Sequence, residues 1–214
     1  MKAKTILAIS PHIDDIELSC GATLHKLIEQ GNNLSAVIIT DCRSILRNTP
    51  FKPDANQLQC QESLQTLSFN KKNIFINHLK ELFLFKHSRK IFDILENLRQ
   101  KLHPDIIFIP SPNDTHQDHS STAKEAITVF RRETSIFLYE QPWNNIKFNA
   151  NYFSVVNDLQ MDKKIQALKN YKVQYYYKRP YFEEDFIRGW ARTRGSQANQ
   201  KYAEAFEIIK LIES

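Results

Sequence analysis

Apolar residues along the chain gather in short continuous runs separated by longer stretches of helical period. The runs "TILAIS" (5–10), "LSAVIIT" (34–40), "NIFIN" (73–77) and "PDIIFIP" (104–110) are β-branched and of strand length. Continuous rather than alternating hydrophobicity predicts strands covered on both faces. Between them, 22–30 sets Leu24, Leu27 and Ile28 on one face and stops at Gly31. Residues 57–68 repeat Leu58, Leu64 and Leu67, and 87–102 repeat Ile91, Ile94, Leu95 and Leu98. These spacings predict helices, the first with a glycine stop. Strand and helix in alternation predict right-handed βαβ units. The expected fold is α/β, a Rossmann-like, doubly wound, mostly parallel sheet with helices on both faces, in one domain over 1–214. Past residue 134 the pattern loosens: 135–142 and 151–157 read as strands, 161–172 and 184–194 as helices, and "YAEAFEIIKLI" (202–212) as either.

Open sheets of this class bind ligands beyond the carboxyl ends of their strands, where loops lead into helices. Two polar segments fall at such junctions, "SPHIDD" after the first strand and "SPNDTHQDH" after the fourth. The irregular stretch 43–56 lies on the same edge and could form a lid or a wall. Adjacent side chains point in different directions, so Asp14 and Asp15 are expected to serve different atoms. His12 can join one of them on a cation while the other faces a reacting water, and on geometry alone either aspartate could take either part. His116 and His119, three apart, share a face on a helical turn. Two imidazoles and one carboxylate with a position left open make a catalytic rather than a structural zinc site. His12, Asp15 and His119 supply that set, leaving His116 and Asp118 as an imidazole–carboxylate pair behind it.

Composition narrows the alternatives. Four glycines cannot build a dinucleotide or Walker-type phosphate loop. Cys20, Cys42 and Cys60 form neither a CxxC pair nor an even set, which argues for reduced thiols. No apolar run approaches a membrane span or a signal sequence, so a cytoplasmic protein without stable membrane insertion is expected. The net charge of +5 is spread along the chain without the spacing of a nucleic-acid-binding motif, and no nucleic-acid partner is expected.

The motifs resemble those of the zinc-dependent de-N-acetylases of the LmbE-like family, which includes the GlcNAc-phosphatidylinositol (PIG-L) de-N-acetylases. "SPHIDDIELSCGATLHKLIEQG" is similar to the family's A-H-P-D-D-E-x-L-G-x-G-G-T-L opening, "PSPNDTHQDH" to its P-x-x-x-D-x-H-x-D-H loop, and "RTRGSQANQKYAEAF" to its late R-G-x-x-x-x-x-x-Y-A-E-A-F segment. The resemblance implies an N-deacetylase with one Zn²⁺ per chain, or another divalent transition metal, held by His12, Asp15 and His119. It further implies Asp14 as general base, protonated His116 as partner of the oxyanion, and Asp118 as the group orienting His116. Ile13, Ile16, Ser19 and Ala22 depart from the pattern at positions that are not ligands. The family's R-x-x-E survives only as Gln59-x-x-Glu62, so Glu62, with Arg43 or Arg47 standing in for the arginine, is the candidate substrate contact. The expected partner is a small N-acetylated sugar, with a homo-oligomer possible. The competing expectation is a noncatalytic sugar- or nucleotide-binding module that keeps the metal.

Overall fold

The computed structural model describes residues 3–213. Its strands are β1 (Thr5–Ser10), β2 (Asn33–Ile38), β3 (Ile74–Ile76), β4 (Ile106–Pro110), β5 (Ser135–Tyr139), β6 (Tyr152–Val156) and β7 (Tyr202–Lys210). They form one sheet in the order β3-β2-β1-β4-β5-β7-β6. β1 pairs in parallel with β2 on one side and β4 on the other, with Ile6 opposite both Leu34 and Ile106; β3 and β5 extend the parallel set. β7 runs antiparallel to β5 and to β6. Chain order therefore reverses between β1 and β4, which opens a crevice at their carboxyl ends.

The helices are α1 (Asp15–Glu29), α2 (Ala55–Thr66), α3 (Ser88–Leu102), α4 (Gln117–Phe130), α5 (Asp158–Leu168), α6 (Lys172–Tyr176) and α7 (Glu184–Gln197). Alternate residues of β1 serve opposite layers. Ile6 and Ala8 pack with Leu24, Leu64, Leu168 and Ala191 under α1, α2, α5 and α7. Leu7 and Ile9 pack with Ile91, Leu95, Ala126 and Phe130 under α3 and α4. With both faces buried, the strands need no polar alternation.

Four local points are refined. The first helix starts at Asp15 rather than Ala22, broken by a non-helical Cys20 (φ −140°). The ambiguous 202–212 segment is strand β7, buried from Tyr202 to Phe206. The stretch 161–172 is divided between α5 and α6, and 43–56 contains a 3₁₀ turn at Arg43–Leu46. β7 is buried between β5 and β6, and one of its side chains meets the break at Cys20. Glu204 on β7 accepts the Ala22 and Thr23 N–H groups at 3.2 and 2.6 Å and the Lys164 ammonium at 2.7 Å. It caps the second half of α1, satisfying donors that the break would otherwise orphan.

Candidate active site

The loop after β1 and the loop after β4 meet at the crevice. Asp14 occupies the position before α1, yet its side chain caps nothing there. Its Oδ2 instead accepts from Gln174 Nε2 at 2.7 Å. Asp15 bends back, Oδ2 accepting the His12 backbone N–H at 2.7 Å and Oδ1 accepting from Gln141 Nε2 at 2.7 Å. His116 stands at the N-cap of α4, its Nδ1 accepting the Asp118 N–H at 3.2 Å, and the helix presents His119 one turn on, its ring stacked on that of His116 at 4.6 Å.

Three candidate ligand side chains converge. His12 Nδ1 lies 3.0 Å from His119 Nε2 and 3.1 Å from Asp15 Oδ2, and His119 Nε2 lies 3.4 Å from Asp15 Oδ1. The far nitrogen of each imidazole is already committed, His12 Nε2 to Asp118 Oδ2 at 3.2 Å and His119 Nδ1 to Asp114 Oδ2 at 2.7 Å. Those carboxylates hold a proton on the outer nitrogens and turn the inner lone pairs toward each other. Two lone pairs at 3.0 Å repel unless a proton or a cation lies between them, so the donor set fits a metal ion. His12, His116 and His119 also form a group that could hold a metal, with ligand atoms within 4.8 Å of one another. The Asp15-containing set is the tighter of the two.

Charge at this site is set by burial and by the four groups around it. Burial lowers the pKa of His12 and of His119, but the nearby carboxylates outweigh it and raise them to about 10 and about 9. Burial raises Asp15, yet the imidazolium charges of His119 and His12 win and hold it well below the usual range. In the protein without metal those imidazolium charges stand where a cation would sit. Asp14 is pushed up to about 7, by burial first and by the Asp15 carboxylate second. His116 is pushed down to about 4, by burial and then by the positive His12 and His119. Its Nδ1 is a hydrogen-bond acceptor, so the neutral ring carries its proton on Nε2.

The structure brings together His12, Asp14, Asp15, His116, Asp118 and His119, but joins two of them differently from expectation. Asp118 was expected to orient His116. Its carboxylate instead takes the Leu82 and Leu84 N–H groups at 2.6 and 3.0 Å and orients His12, because the first turn of α4 points it across the cleft rather than along the helix. His116 at about 4 is neutral at pH 7, not protonated as expected. The proposed substrate contacts fare worse. Arg43 is locked in a bidentate pair with the buried Asp41 at 2.7–3.2 Å and faces His78. Arg47 sits with it in a separate depression beside Phe51 and Pro53, and Glu62 lies on the exposed side of α2.

The cleft holds about 420 Å³, and its wall includes Trp143 together with residues that pattern reading passes over: Gln141, Gln174 and Tyr181. Trp143 and Tyr181 stack at 4.3 Å, nearly parallel. Asp114 is the one missed residue with a local signal, since it stands five positions before His119 in the polar loop. The glutamines come from distant segments and carry no charge to betray them.

The fold and the site together define a doubly wound α/β protein whose switch-point crevice carries an imidazole–carboxylate cluster able to hold a metal. Residues 7–130 match the family model described as PIG-L, GlcNAc-PI de-N-acetylase. The chain is 30% identical over 180 residues to the uncharacterized deacetylase YaiS of Escherichia coli, covering 80% of this chain and 92% of that protein. It belongs to the PIG-L (LmbE-like) family. The fold matches that of the N,N'-diacetylchitobiose deacetylase of Pyrococcus horikoshii, with a TM-score of 0.80 at 23% identity over 97% of this chain and 84% of that one. The 4-carboxy-2-hydroxymuconate hydratase GalB of Pseudomonas putida has the same fold, with a TM-score of 0.79 at 16% identity over 99% and 98% of the two chains. One scaffold thus carries different chemistries, and the reaction must be argued from the site.

Proposed function

We propose that the chain is a zinc-dependent N-deacetylase that hydrolyses the acetamide of an amino sugar or a sugar-like conjugate. The observation supporting this is the meeting of His12 Nδ1, His119 Nε2 and the Asp15 carboxylate, with both imidazoles anchored at their far nitrogens. This is the donor set of an open catalytic site. His12, Asp15 and His119 hold one metal ion per chain, and another divalent transition metal suited to imidazole and carboxylate would fit the same donors. Bound zinc supplies Lewis acidity, lowering the pKa of water to about 7 and polarising the amide carbonyl.

The remaining groups handle protons and orientation. Asp14 takes the proton of the attacking water. Its carboxyl at about 7 is matched to proton transfer near neutral pH, and Gln174 holds one of its oxygens and so fixes the direction of the other. His116 presents Nε2–H to the carbonyl oxygen as that oxygen gains charge. It does so as a neutral imidazole at a helix N-terminus, where the dipole also opposes protonation. As the carbon–nitrogen bond breaks, the protonated Asp14 returns its proton to the nitrogen, giving acetate and free amine. The Trp143–Tyr181 stack offers a flat apolar wall against which the less polar face of a sugar ring packs.

Acetate release from N-acetylglucosamine, diacetylchitobiose and related acetamido sugars, with and without a chelator, tests this reading. Chelator-sensitive acetate release is expected from at least one of them. Metal uptake with no acetate from any would sink the reaction and leave a binding module. The Asp14→Asn protein should bind metal as the parent does while losing on the order of 10²–10⁴ in rate.

A further inference from the structure

The segment between β3 and α3, "HLKELFLFKHSRK" (78–90), plays no part in the chemistry above, yet it presents large apolar side chains to solvent beside the cleft. Leu82 is 54% exposed, Phe83 37% and Phe85 45%. Isolated exposed apolar residues need no explanation, but three within four positions form a patch. The segment is held rather than loose. Asp118 takes the N–H groups of Leu82 and Leu84, and Gln117 Nε2 donates to the Leu82 carbonyl at 2.7 Å. Leu82 itself has φ +64°, a left-handed backbone that costs a branched residue energy. Thus the carboxylate that orients His12 also fixes an apolar side chain, in a strained conformation, at the mouth of the cleft that Glu81 and Leu82 line.

The patch is rimmed by positive charge. The Lys80 ammonium lies 5.0 Å from the Phe83 ring centroid, and that of Lys86 lies 5.1 and 5.7 Å from Phe83 and Phe85. Arg89 and Lys90 follow in the first turn of α3. Among the described residues no carboxylate pairs with Lys80, Lys86 or Lys90; Arg89 pairs with Asp93. The one acid of the segment, Glu81, is buried and receives the Ser44 N–H at 3.1 Å. Apolar tips within a ring of unpaired cations match an interface that is anionic outside and apolar just beneath. A second copy of the same patch would set lysines against lysines, and a nucleic acid would leave Leu82 without an apolar environment.

We infer that the 80–90 segment docks the protein peripherally on an anionic lipid surface, with the cleft opening toward that surface. Leu82, Phe83 and Phe85 enter the headgroup region while Lys80, Lys86 and Lys90 meet the lipid phosphates. Neither element suffices alone, since short apolar tips give weak partitioning and lysines alone give a salt-screened attraction. The inference does not depend on the deacetylase reading, because docking requires no turnover.

Sedimentation of the full chain with vesicles of phosphatidylcholine, alone or mixed with phosphatidylglycerol, tests the assignment. Binding is expected to the mixed vesicles only, and to weaken as salt is raised. Lys80→Glu with Lys86→Glu should weaken it by at least roughly 25-fold, about fivefold for each lysine lost. Lys71→Glu with Lys72→Glu, the same charge change on the exposed turn before β3 at the far end of the sheet, should leave it within about twofold, because those lysines lie away from the patch. Phe83→Ser with Phe85→Ser should weaken binding without changing the circular dichroism, and a Phe83→Trp reporter should shift its emission to the blue on mixed vesicles. Equal binding to both vesicle types, or equal losses in the two lysine pairs, would overturn the inference. So would concentration-dependent self-association abolished by the phenylalanine changes, which would assign the patch to a second copy of the chain.

Discussion

At the scale of single residues, the site is a set of ionisable groups that could not share so small a volume without one another. His12 and His119 hold raised pKa values because Asp15, Asp118 and Asp114 surround them, and His116 is driven to about 4 by burial and then by the positive charge those two carry. A bound cation would act on His116 in the same direction. The basic limb of the pH–rate profile therefore does not belong to His116. In His116→Ala, kcat/KM should fall by about 10²–10³ while both limbs of the profile stay in place; disappearance of the basic limb would restore the imidazolium role. The acidic limb belongs to Asp14. Burial and Asp15 raise its pKa to about 7 in the metal-free protein and a bound cation draws it lower, so activity should be lost as pH falls through a value below about 7. Asp114→Asn tests the outer layer of the site. Replacing the carboxylate that fixes His119 should weaken metal affinity by about 10–100-fold, measured by competition with a chromophoric chelator.

At the scale of elements, the late segment "RTRGSQANQKYAEAF" is a brace rather than a reacting group. Arg194 on α7 holds the buried Glu140 at the end of β5 through two bonds of 2.5 and 2.6 Å, next to the Gln141 that holds Asp15. A Cβ at Gly195 would lie 2.7 Å from the carbonyl oxygens of Gln200 and Lys201, so α7 can turn into β7 only over a glycine. Glu204 then reaches from β7 into the break of α1. Tertiary packing here overrides the local preference of α1 to run unbroken, and it sets the first half of that helix, with Asp15, at its angle to the sheet. Removing one partner of the buried Lys164–Glu204 pair leaves an uncompensated charge. Glu204→Ala should cost about 3–5 kcal/mol in urea unfolding, and Lys164→Ala should cost a similar amount. A loss below 1 kcal/mol would mean that water replaces the carboxylate.

At the scale of the whole molecule, the layers on either face of the sheet differ in what they bury. The α3–α4 side keeps its buried polar groups, Asp118, His119 and Thr122, on the half of α4 at the cleft, whereas the α1–α2–α5 side encloses Glu17, fully buried, with the Tyr171 hydroxyl 2.5 Å from it and also in contact with the Ile13 carbonyl. Burial raises the Glu17 pKa from 4.5 to about 8. An acid whose folded pKa lies above its unfolded value stabilises the fold below the unfolded value, and that contribution is lost as pH rises through the folded one. Metal-free wild type should therefore lose stability between about pH 4.5 and pH 8, and Glu17→Gln should lose less over the same span. Equal pH slopes for the two proteins in chemical unfolding would show that Glu17 is solvated. Among the described residues no helix is long and apolar enough to cross a membrane.

The sequence by itself determined the parts governed by local period and local chemistry. Short, β-branched, continuous apolar runs pointed to doubly covered strands, and polar loops after the first and fourth runs then fell at the crevice. There His12, Asp14, Asp15, His116 and His119 were legible as a group because each pair lies within one turn or one loop. Sequence spacing could not say what Asp118 faces. Its partner, His12, lies 106 positions away across the switch point, while the nearer His116 uses its Nδ1 on a backbone N–H. Nor could it find Gln141 and Gln174, 126 and 160 positions from the aspartates they hold. Neutral side chains leave no pattern in a chain, and their roles exist only where strands and helices from distant segments meet. The protonation of His116 was decided at the same level, because its pKa reports its burial and the charges folded around it rather than those beside it in the sequence.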